Sequence, residues 1–250
     1  MSAVLPAIEV GDLTKEFDGL RAVDRVSLAV AAGERRVLIG PNGAGKTTLF
    51  HCITGTLRPS AGRVALFGQD VTRLPEHRRT ALGMGRTFQI SNVFAELSLL
   101  ENLVLAILGT DRRKWAPHAP VGAFEAVCRR AREGLGAVGL AHRAEQAARL
   151  LSYGERRQLE LALALNSNPR VLFLDEPCAG LSPSERQRIS RMIGALPRAI
   201  TVVMIEHDMD VALGLADRVT VLHRGRVILE GTPAEVQANP EVRDVYFGHV

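Results

Sequence analysis

The chain has 250 residues, of which 46% are hydrophobic and 23% are charged, a length and balance typical of one large globular domain. No apolar run reaches the roughly 18 residues of a membrane span, and the opening MSAVLPAIEV lacks the features of a secretion signal, so we expect a cytosolic protein. The net charge of +4 comes from an arginine-rich composition without a long basic run, which favours solvated faces over a nucleic-acid surface. Three widely spaced cysteines predict reduced, mostly buried thiols.

The first half of the chain predicts two kinds of strand and then a helical region. Segments 7–12 and 25–30 alternate as strands of an antiparallel sheet do, and 62–71 predicts another strand of that sheet. RRVLIG (35–40) is a short apolar run ending in glycine, which indicates a buried strand. From 95 to 150 the composition becomes rich in Glu, Ala, Leu and Arg, with apolar residues at helical spacing, and this predicts a helical lobe.

The second half predicts further buried strands. PRVLFLDEP (169–177) and AITVVMIEH (199–207) are apolar runs, and 217–231 has the pattern of a closing hairpin. Because these strands are interleaved with helices, we predict an α/β fold with a central, largely parallel sheet and a helical insertion.

GPNGAGKTT matches the complete phosphate-loop pattern G-x-x-x-x-G-K-[ST], with a predicted strand before it and a helix-compatible segment after it. Its glycines let several backbone N–H groups point inward, where they bind phosphates together with the helix N-terminus. Lys46 is expected between the β- and γ-phosphates, and the Thr47 hydroxyl is expected to bind Mg²⁺. The nucleotide-binding residues predicted in this loop are Asn42, Gly43, Ala44, Gly45, Lys46, Thr47 and Thr48.

An acidic pair, Asp175 and Glu176, follows the apolar run VLFL. An unpaired buried carboxylate is costly, so acids at the end of a buried strand point to a use. We predict that Asp175 binds Mg²⁺, directly or through water, and that Glu176 polarises an attacking water as general base. With the phosphate loop, the pair predicts a nucleotide triphosphatase.

Five motifs in this order, the phosphate loop, RTFQ, LSYGE, LFLDEP and MIEHD, resemble those of the ATP-binding subunits of ABC transporters over essentially the whole chain. The resemblance implies an ATPase that uses ATP and Mg²⁺, with the fold of a P-loop NTPase ABC cassette. A single domain over 1–250 would then comprise a RecA-like core with an N-terminal antiparallel β-subdomain (1–94 and 151–250) and an α-helical subdomain at about 95–150.

The resemblance also assigns residues. Phe17 matches the aromatic that stacks on adenine, and Gln89 in RTFQ matches the glutamine that contacts Mg²⁺ or the water and reports to the helical lobe. His207 matches the histidine that contacts the γ-phosphate and helps to position the water. Ser152 and Gly154 match the signature positions that bind ATP held by a second subunit, which implies a dimer with another copy or a close paralogue.

Three residues depart from the family pattern. Tyr153 and Glu155 lie within the signature, where Glu155 suits a helix capped by Ser152 but brings negative charge near ATP. Ser182 stands where the family has Asp in the loop that crosses the dimer interface, which puts a carboxylate link across that interface in doubt.

The segments RTFQ, VFAELSLLENL, LSYGERRQLELA, DEPCAGLSP and NPEVRDVYFG are similar to those of ATPases that serve importers of branched-chain amino acids, with relatives for urea and short amides. The similarity implies permease subunits that contact the helical lobe, a solute-binding protein as an indirect partner, no nucleic-acid partner, and a location on the inner face of the cell membrane. The segment 108–123 is not matched.

The sequence disfavours three alternatives to the importer. An ATPase of lipopolysaccharide export also carries Glu in its signature, but Tyr153 argues against it. Soluble ABC ATPases of DNA repair or ribosomes carry long coiled coils or two cassettes in one chain, neither of which the sequence contains. A catalytically inactive regulator is disfavoured because Lys46, Asp175, Glu176 and His207 are all present.

Overall fold

The structure, a computed structural model, describes residues 5–87, 93–110 and 121–247. These ranges form two β-sheets with helices around them, and the predicted α/β architecture is confirmed. The helices are α1 (Lys46–Thr54), α2 (Glu76–Thr80), α3 (Leu99–Thr110), α4 (Val121–Ala137), α5 (Tyr153–Asn166), α6 (Pro183–Gly194), α7 (Met209–Leu215), α8 (Pro233–Ala238) and α9 (Pro240–Phe247). Within the described ranges, none of them combines the length and apolar character that a membrane span requires.

The first sheet is antiparallel and has the order β2-β1-β4-β5. Its strands are β1 (Ile8–Phe17), β2 (Leu20–Val30), β4 (Ala61–Leu66) and β5 (Gln69–Asp70). The single strand predicted over 62–71 is wrong, because Phe67 and Gly68 have φ values of 48° and 80° and turn the chain back as a hairpin.

The hairpin strands β1 and β2 extend beyond the predicted segments 7–12 and 25–30. Asp12 and Arg25 adopt left-handed φ values of 46° and 48°, and the pairing register shifts along the hairpin. Such irregularities break the alternation of apolar and polar residues, so the sequence pattern ends before the strands do.

The second sheet has six strands in the order β10-β9-β3-β8-β7-β6, and every pairing is parallel except that of β10 with β9. The strands are β3 (Arg35–Ile39), β6 (Met84–Arg86), β7 (Val171–Asp175), β8 (Thr201–Ile205), β9 (Arg218–His223) and β10 (Arg226–Gly231). The predicted buried strands and closing hairpin are confirmed. The short edge strand β6 was not predicted, because its three residues include a glycine and leave no periodic pattern.

Two fully buried side chains hold α1, one against the six-stranded sheet and one at its last turn. Phe50 of α1 packs edge-on against Phe173 of β7, with ring centroids 5.3 Å apart, and burying such a ring is worth about 1.5–3 kcal/mol. Arg79 is 1% exposed and donates to the backbone carbonyls of Leu74 (2.9 Å) and Cys52 (3.0 Å), the latter in the last turn of α1. A cation is favourable at a helix C-terminus, so α1 is held from both its side and its far end.

The helices α3 and α4 pack with α5 around an apolar cluster of their own. Leu103, Leu135 and Leu159 are each 0% exposed and represent the three helices in this cluster. Because α5 also packs against α6, it connects this helical region to the six-stranded sheet. The start of α5 therefore lies where the two regions meet.

Candidate active site

The ends of three parallel strands bring the predicted residues to one edge of the six-stranded sheet. β8 pairs with β3 on one side, matching Leu38 with Ile205, and with β7 on the other, matching Asp175 with Ile205. The phosphate loop after β3, the acidic pair at the end of β7 and His207 after β8 consequently lie side by side. The carboxyl edge of a parallel sheet is where α/β folds place their ligand sites.

The phosphate loop has backbone geometry that only glycine supplies at two positions. Gly40 and Gly45 have φ values of 152° and 97°, and a Cβ on them would lie 2.2 Å from the Leu222 carbonyl and 2.4 Å from the Ala22 carbonyl, respectively. Gly45 caps α1 without a side-chain hydrogen bond, and the first turn of α1 contains no acid. Its N–H groups are therefore free of internal carboxylates, as an anion site requires.

Lys46, the first residue of α1, is only 5% exposed. Its ammonium donates to the carbonyls of Gly40 (2.7 Å) and Pro41 (3.0 Å), within the loop itself. Burial lowers the pKa of Lys46, and the nearby negative charge of Glu176 raises that pKa in part. The loop thus holds a positive charge beside the open start of α1.

The other residues predicted for nucleotide binding surround this charge. Asn42 and Gly43 are exposed, whereas Ala44 is buried. Thr47 and Thr48 are half-buried in the first turn of α1. The structure brings all of them into one loop and helix start.

Asp175 ends β7 as a buried carboxylate that has no hydrogen-bond partner within the described part of the chain. It is 1% exposed, and neither of its oxygens has a partner; the His51 Nε2 atom is 4.0 Å from Oδ2. Burial raises the pKa of Asp175, and the charge of Arg86 opposes that shift. An unpaired buried carboxylate fits a divalent cation, which prefers hard oxygen ligands.

Glu176 and His207 form a direct pair across the ends of β7 and β8. Glu176 Oε1 lies 2.8 Å from His207 Nε2, and both side chains are accessible. Glu176 has a left-handed φ of 47°, and its N–H donates to the Ile205 carbonyl at 3.0 Å. This turn leaves a carboxylate, held by an imidazole, at the edge that carries the phosphate loop, as general-base catalysis requires.

Glu206 is a member of this edge to which the sequence patterns assigned no role. It is 2% exposed, and its carboxylate accepts a hydrogen bond from the Cys178 N–H at 3.1 Å. Burial raises the pKa of Glu206. The sequence signal for Glu206 is an acid at the end of the apolar run in AITVVMIEH. The family resemblance assigned a role only to His207, the next residue.

The LSYGE segment begins α5 with a complete capping box, which confirms the predicted cap. The Ser152 hydroxyl accepts from the Glu155 N–H (3.3 Å), and the Glu155 carboxylate accepts from the Ser152 N–H (2.9 Å). Glu155 also pairs with Arg143, and the hydrogen bond from the Ser152 backbone is the main cause of its lowered pKa. The negative charge of Glu155 is therefore held by groups of its own chain at the start of α5.

The other two departures from the family pattern, Tyr153 and Ser182, each make contacts of their own. The ring of Tyr153 packs beside Gly180, where an added Cβ would lie 3.3 Å from Cε1, and its hydroxyl accepts from Arg157 at 3.0 Å. Ser182 caps α6 in a second capping box and donates to the Glu185 carboxylate at 2.6 Å.

The Glu185 carboxylate also leaves room for no side chain at Gly154. A Cβ on Gly154 would lie 2.3 Å from Glu185 Oε1, so a larger residue would force this carboxylate to move. Ser152 is exposed and Gly154 is buried at the start of α5.

Phe17 lies at the tip of the β1–β2 hairpin and is 42% exposed. Lys15 Nζ is 4.8 Å from the centroid of its ring. The hairpin reaches the phosphate loop through Ala22, whose carbonyl closes the space beside Gly45. Gln89 lies outside the described residues.

Two family models match the chain. The one described as ABC transporter matches residues 23–179, and the one described as branched-chain amino acid ATP-binding cassette transporter matches residues 226–250. The high-affinity branched-chain amino acid transport ATP-binding protein BraF of Pseudomonas aeruginosa is 38% identical over 254 residues, covering 97% of this chain and 98% of BraF. The lipopolysaccharide export system ATP-binding protein LptB of Acidithiobacillus ferridurans is 38% identical over 242 residues and 96% of each chain.

Solved structures show the same architecture. The ADP conformation of MJ1267, an ATP-binding cassette of an ABC transporter, matches with a TM-score of 0.85 at 32% identity, covering 98% of this chain and 99% of that one. The dimeric post-hydrolysis state of the cassette MJ0796, bound to ADP and Pi, matches with a TM-score of 0.78 at 26% identity, covering 90% and 98%.

Proposed function

The chain belongs to the family of ABC transporter ATP-binding proteins, and we propose that it hydrolyses MgATP to drive an importer of branched-chain amino acids or related small solutes. As a member of this family it is an ATPase that binds nucleotide. The residue roles below are part of the proposal. The observation that carries them is the shared sheet edge, where the phosphate loop lies beside the Glu176–His207 pair.

In this proposal the phosphates of ATP bind N–H groups of the loop and of the start of α1, within the segment from Asn42 to Thr48. The Lys46 ammonium exchanges its loop carbonyls for β- and γ-phosphate oxygens. Phe17 stacks on adenine, which its exposure at the hairpin tip supports.

Mg²⁺ is the expected metal partner of ATP at this edge. The unpaired oxygens of Asp175 support a role for this carboxylate in holding the ion, with the Thr47 hydroxyl and Gln89 as the other proposed ligands. When bound, Mg²⁺ neutralises negative charge on the β- and γ-phosphates.

Hydrolysis then depends on the pair at the ends of β7 and β8. Glu176 accepts a proton from water as the water oxygen bonds to the γ-phosphorus and the bond to the bridging oxygen breaks, releasing ADP and phosphate. His207 holds Glu176 and hydrogen-bonds the γ-phosphate. The 2.8 Å contact between the two side chains supports this division of roles.

The variant Glu176→Gln tests the assignment of the base. We expect it to lose hydrolysis by at least about 100-fold, because an amide cannot accept the proton. ATP affinity should stay at the wild-type value, measured by calorimetry on the same preparation. Turnover equal to that of the wild type would contradict the role of Glu176.

We propose that the start of α5 serves the ATP of a second cassette, either a copy of this chain or a paralogue. Ser152 and Gly154 would then contact the γ-phosphate that the other chain's phosphate loop holds. The exposure of Ser152 and the dimeric state of MJ0796 support this arrangement.

A groove of about 500 Å³ between α3, α5 and the strand β6 is the proposed docking surface for a permease subunit. Phe94 and Leu105 line it and are 59% and 43% exposed. Thr87 lies in the groove next to the segment that contains Gln89, which would link docking to the ATP site.

We expect Leu105→Glu to abolish transport but to leave the ATPase activity of the isolated chain unchanged. Retained transport would exclude this groove as the docking surface.

The solute is the least constrained part of the proposal. The match of residues 226–250 and the similarity to BraF favour branched-chain amino acids, while the similarity to LptB makes lipopolysaccharide export the second candidate. With either set of partners, the proposed location of the chain is the cytoplasmic face of the membrane. Reconstitution with permease subunits and the solute-binding protein of the same transporter should give ATP-dependent leucine uptake. ATP-dependent lipopolysaccharide release without uptake would favour the second candidate.

A further inference from the structure

Glu206 lies between the last residue of β8, Ile205, and His207, and it is 2% exposed. Burying a carboxylate costs free energy unless hydrogen bonds offset its lost hydration. Its carboxylate accepts from the Cys178 N–H at 3.1 Å, and the backbone N–H of His207 also interacts with it. One buried acid therefore joins the loop after β7 to the loop after β8.

The loop after β7 is a tight turn whose shape needs support. Glu176 has a φ of 47°, a conformation that is unfavourable for a residue with a side chain and persists only when its surroundings hold it. The Glu176 N–H donates to the Ile205 carbonyl (3.0 Å), and the Glu176 carbonyl accepts from the Ala179 N–H (3.1 Å). These bonds fix the start and the span of the turn, and Glu206 fixes Cys178 within it.

We propose that Glu206 is a positioning residue for ATP hydrolysis. By holding Cys178 and the backbone of His207, it sets the Glu176 carboxylate against the His207 ring and toward the attacking water. The inference rests on the proposed role of Glu176, and it adds a residue that does not touch ATP. Misplacing a catalytic group by about 1 Å costs up to about 100-fold in rate, so a loosened turn should act on kcat.

Two conservative variants separate the reach of the side chain from its charge. Glu206→Gln keeps an oxygen at the same reach, which still accepts from the Cys178 N–H, but it removes the charge. Glu206→Asp keeps the charge and is one methylene shorter, so it loses this contact. We expect Asp to lower kcat about 10- to 100-fold with KM for ATP within about twofold of the wild type, and Gln to keep at least about half of the wild-type kcat.

The readout is kcat per ATP bound, with the number of sites counted by calorimetry on the same preparation. This normalisation removes any loss of folded protein, so a purely structural role would leave kcat per site unchanged in every variant. Wild-type kcat per site in Glu206→Asp would overturn the inference. Gln as defective as Asp would also overturn it, because an acceptor oxygen at the same reach would then not be enough to hold the turn.

The failure of this inference is distinguishable from failure of the proposed function. If Glu176→Gln is inactive while Glu206→Asp retains wild-type kcat per site, only the role of Glu206 is lost. If Glu176→Gln hydrolyses ATP at the wild-type rate, the role of Glu176 fails, and the role of Glu206 fails with it.

Discussion

The starts of α1 and α5 are both proposed to bind phosphate, yet they are built in opposite ways. α1 begins after Gly45 without a side-chain cap and has no acid in its first turn. α5 begins at Ser152 with a capping box, and Glu155 in its first turn is paired with Arg143. Both are helix N-termini, where backbone N–H groups lack partners inside the helix.

This difference indicates what each helix start depends on. α1 leaves its donors for a ligand and is held from elsewhere, by Phe50 against Phe173 and by Arg79 at its far end. α5 satisfies part of its own first turn with the capping box and leaves the Ser152 side chain accessible. In the proposed function, one chain therefore contributes a primary phosphate site at α1 and, at α5, a complementary surface for the site of a second chain.

The largest expected effect is at α1. Lys46→Ala removes the only charged side chain of the phosphate loop, and a charged hydrogen bond contributes about 1.5–3 kcal/mol, so ATP affinity of the monomer should fall about 10- to 100-fold. Calorimetry with ATP measures this directly. Ser152→Ala is the matched control at α5 and should leave monomer affinity unchanged. Equal losses of ATP affinity in the two variants would contradict the different roles proposed for the two helix starts.

A smaller change in free energy, this time in stability, is expected at Asp175, whose buried carboxylate has no hydrogen-bond partner within the described residues. Asp175→Asn should abolish hydrolysis but raise the free energy of unfolding without nucleotide by about 1–2 kcal/mol at pH 7–8. Thermal unfolding should show a rise of a few degrees. A lower melting temperature would contradict the description of Asp175 as a buried carboxylate without a hydrogen-bond partner.

The same carboxylate predicts a pH dependence. Burial raises the pKa of Asp175 in the folded state, so its ionisation opposes folding. The favourable contribution of the protonated acid is complete below the unfolded pKa of about 3.9 and is lost as pH rises through the folded value. The advantage of Asp175→Asn should therefore be absent in acid and grow with pH, whereas an advantage that shrinks as pH rises would contradict this sign.

The smallest effects concern the cap of α5. Ser152→Ala should lower the free energy of unfolding by about 1 kcal/mol, because it removes the acceptor for the Glu155 N–H. Ser152→Asp should cost much less, since Asp is as good a helix cap as Ser. Urea unfolding measures both. Equal stability of the Ala variant and the wild type would contradict a role for the capping box in holding α5.

The phosphate loop was predictable because its function resides in a local backbone pattern, in which Gly40 and Gly45 mark positions that no other residue fits. The acidic pair was predictable for a similar reason, since Asp175 ends an apolar run. The orientation of the Glu155 carboxylate was not predictable. It depends on Arg143, which lies twelve positions earlier in the chain and is brought close only by the fold.

The same limit applies to Glu206. Its partner Cys178 lies in the loop after β7, and the contact exists only because β7 and β8 are neighbours. In the fold, β6 and the β4–β5 turn escaped prediction because each depends on two or three residues, too few for a periodic pattern. Local chemistry was therefore readable from the sequence, and contacts between elements were not.

The sharing of ATP between α1 of one chain and α5 of another is tested most directly by sedimentation velocity of the Glu176→Gln chain, alone and with a coexpressed second cassette. MgATP should shift the sedimentation coefficient from monomer to dimer in at least one of these samples. Adding Ser152→Asp, which keeps the helix cap but brings a charge toward the γ-phosphate, should abolish the shift without changing ATP affinity of the monomer. Identical sedimentation with and without MgATP in both samples, or a dimer insensitive to Ser152→Asp, would contradict it.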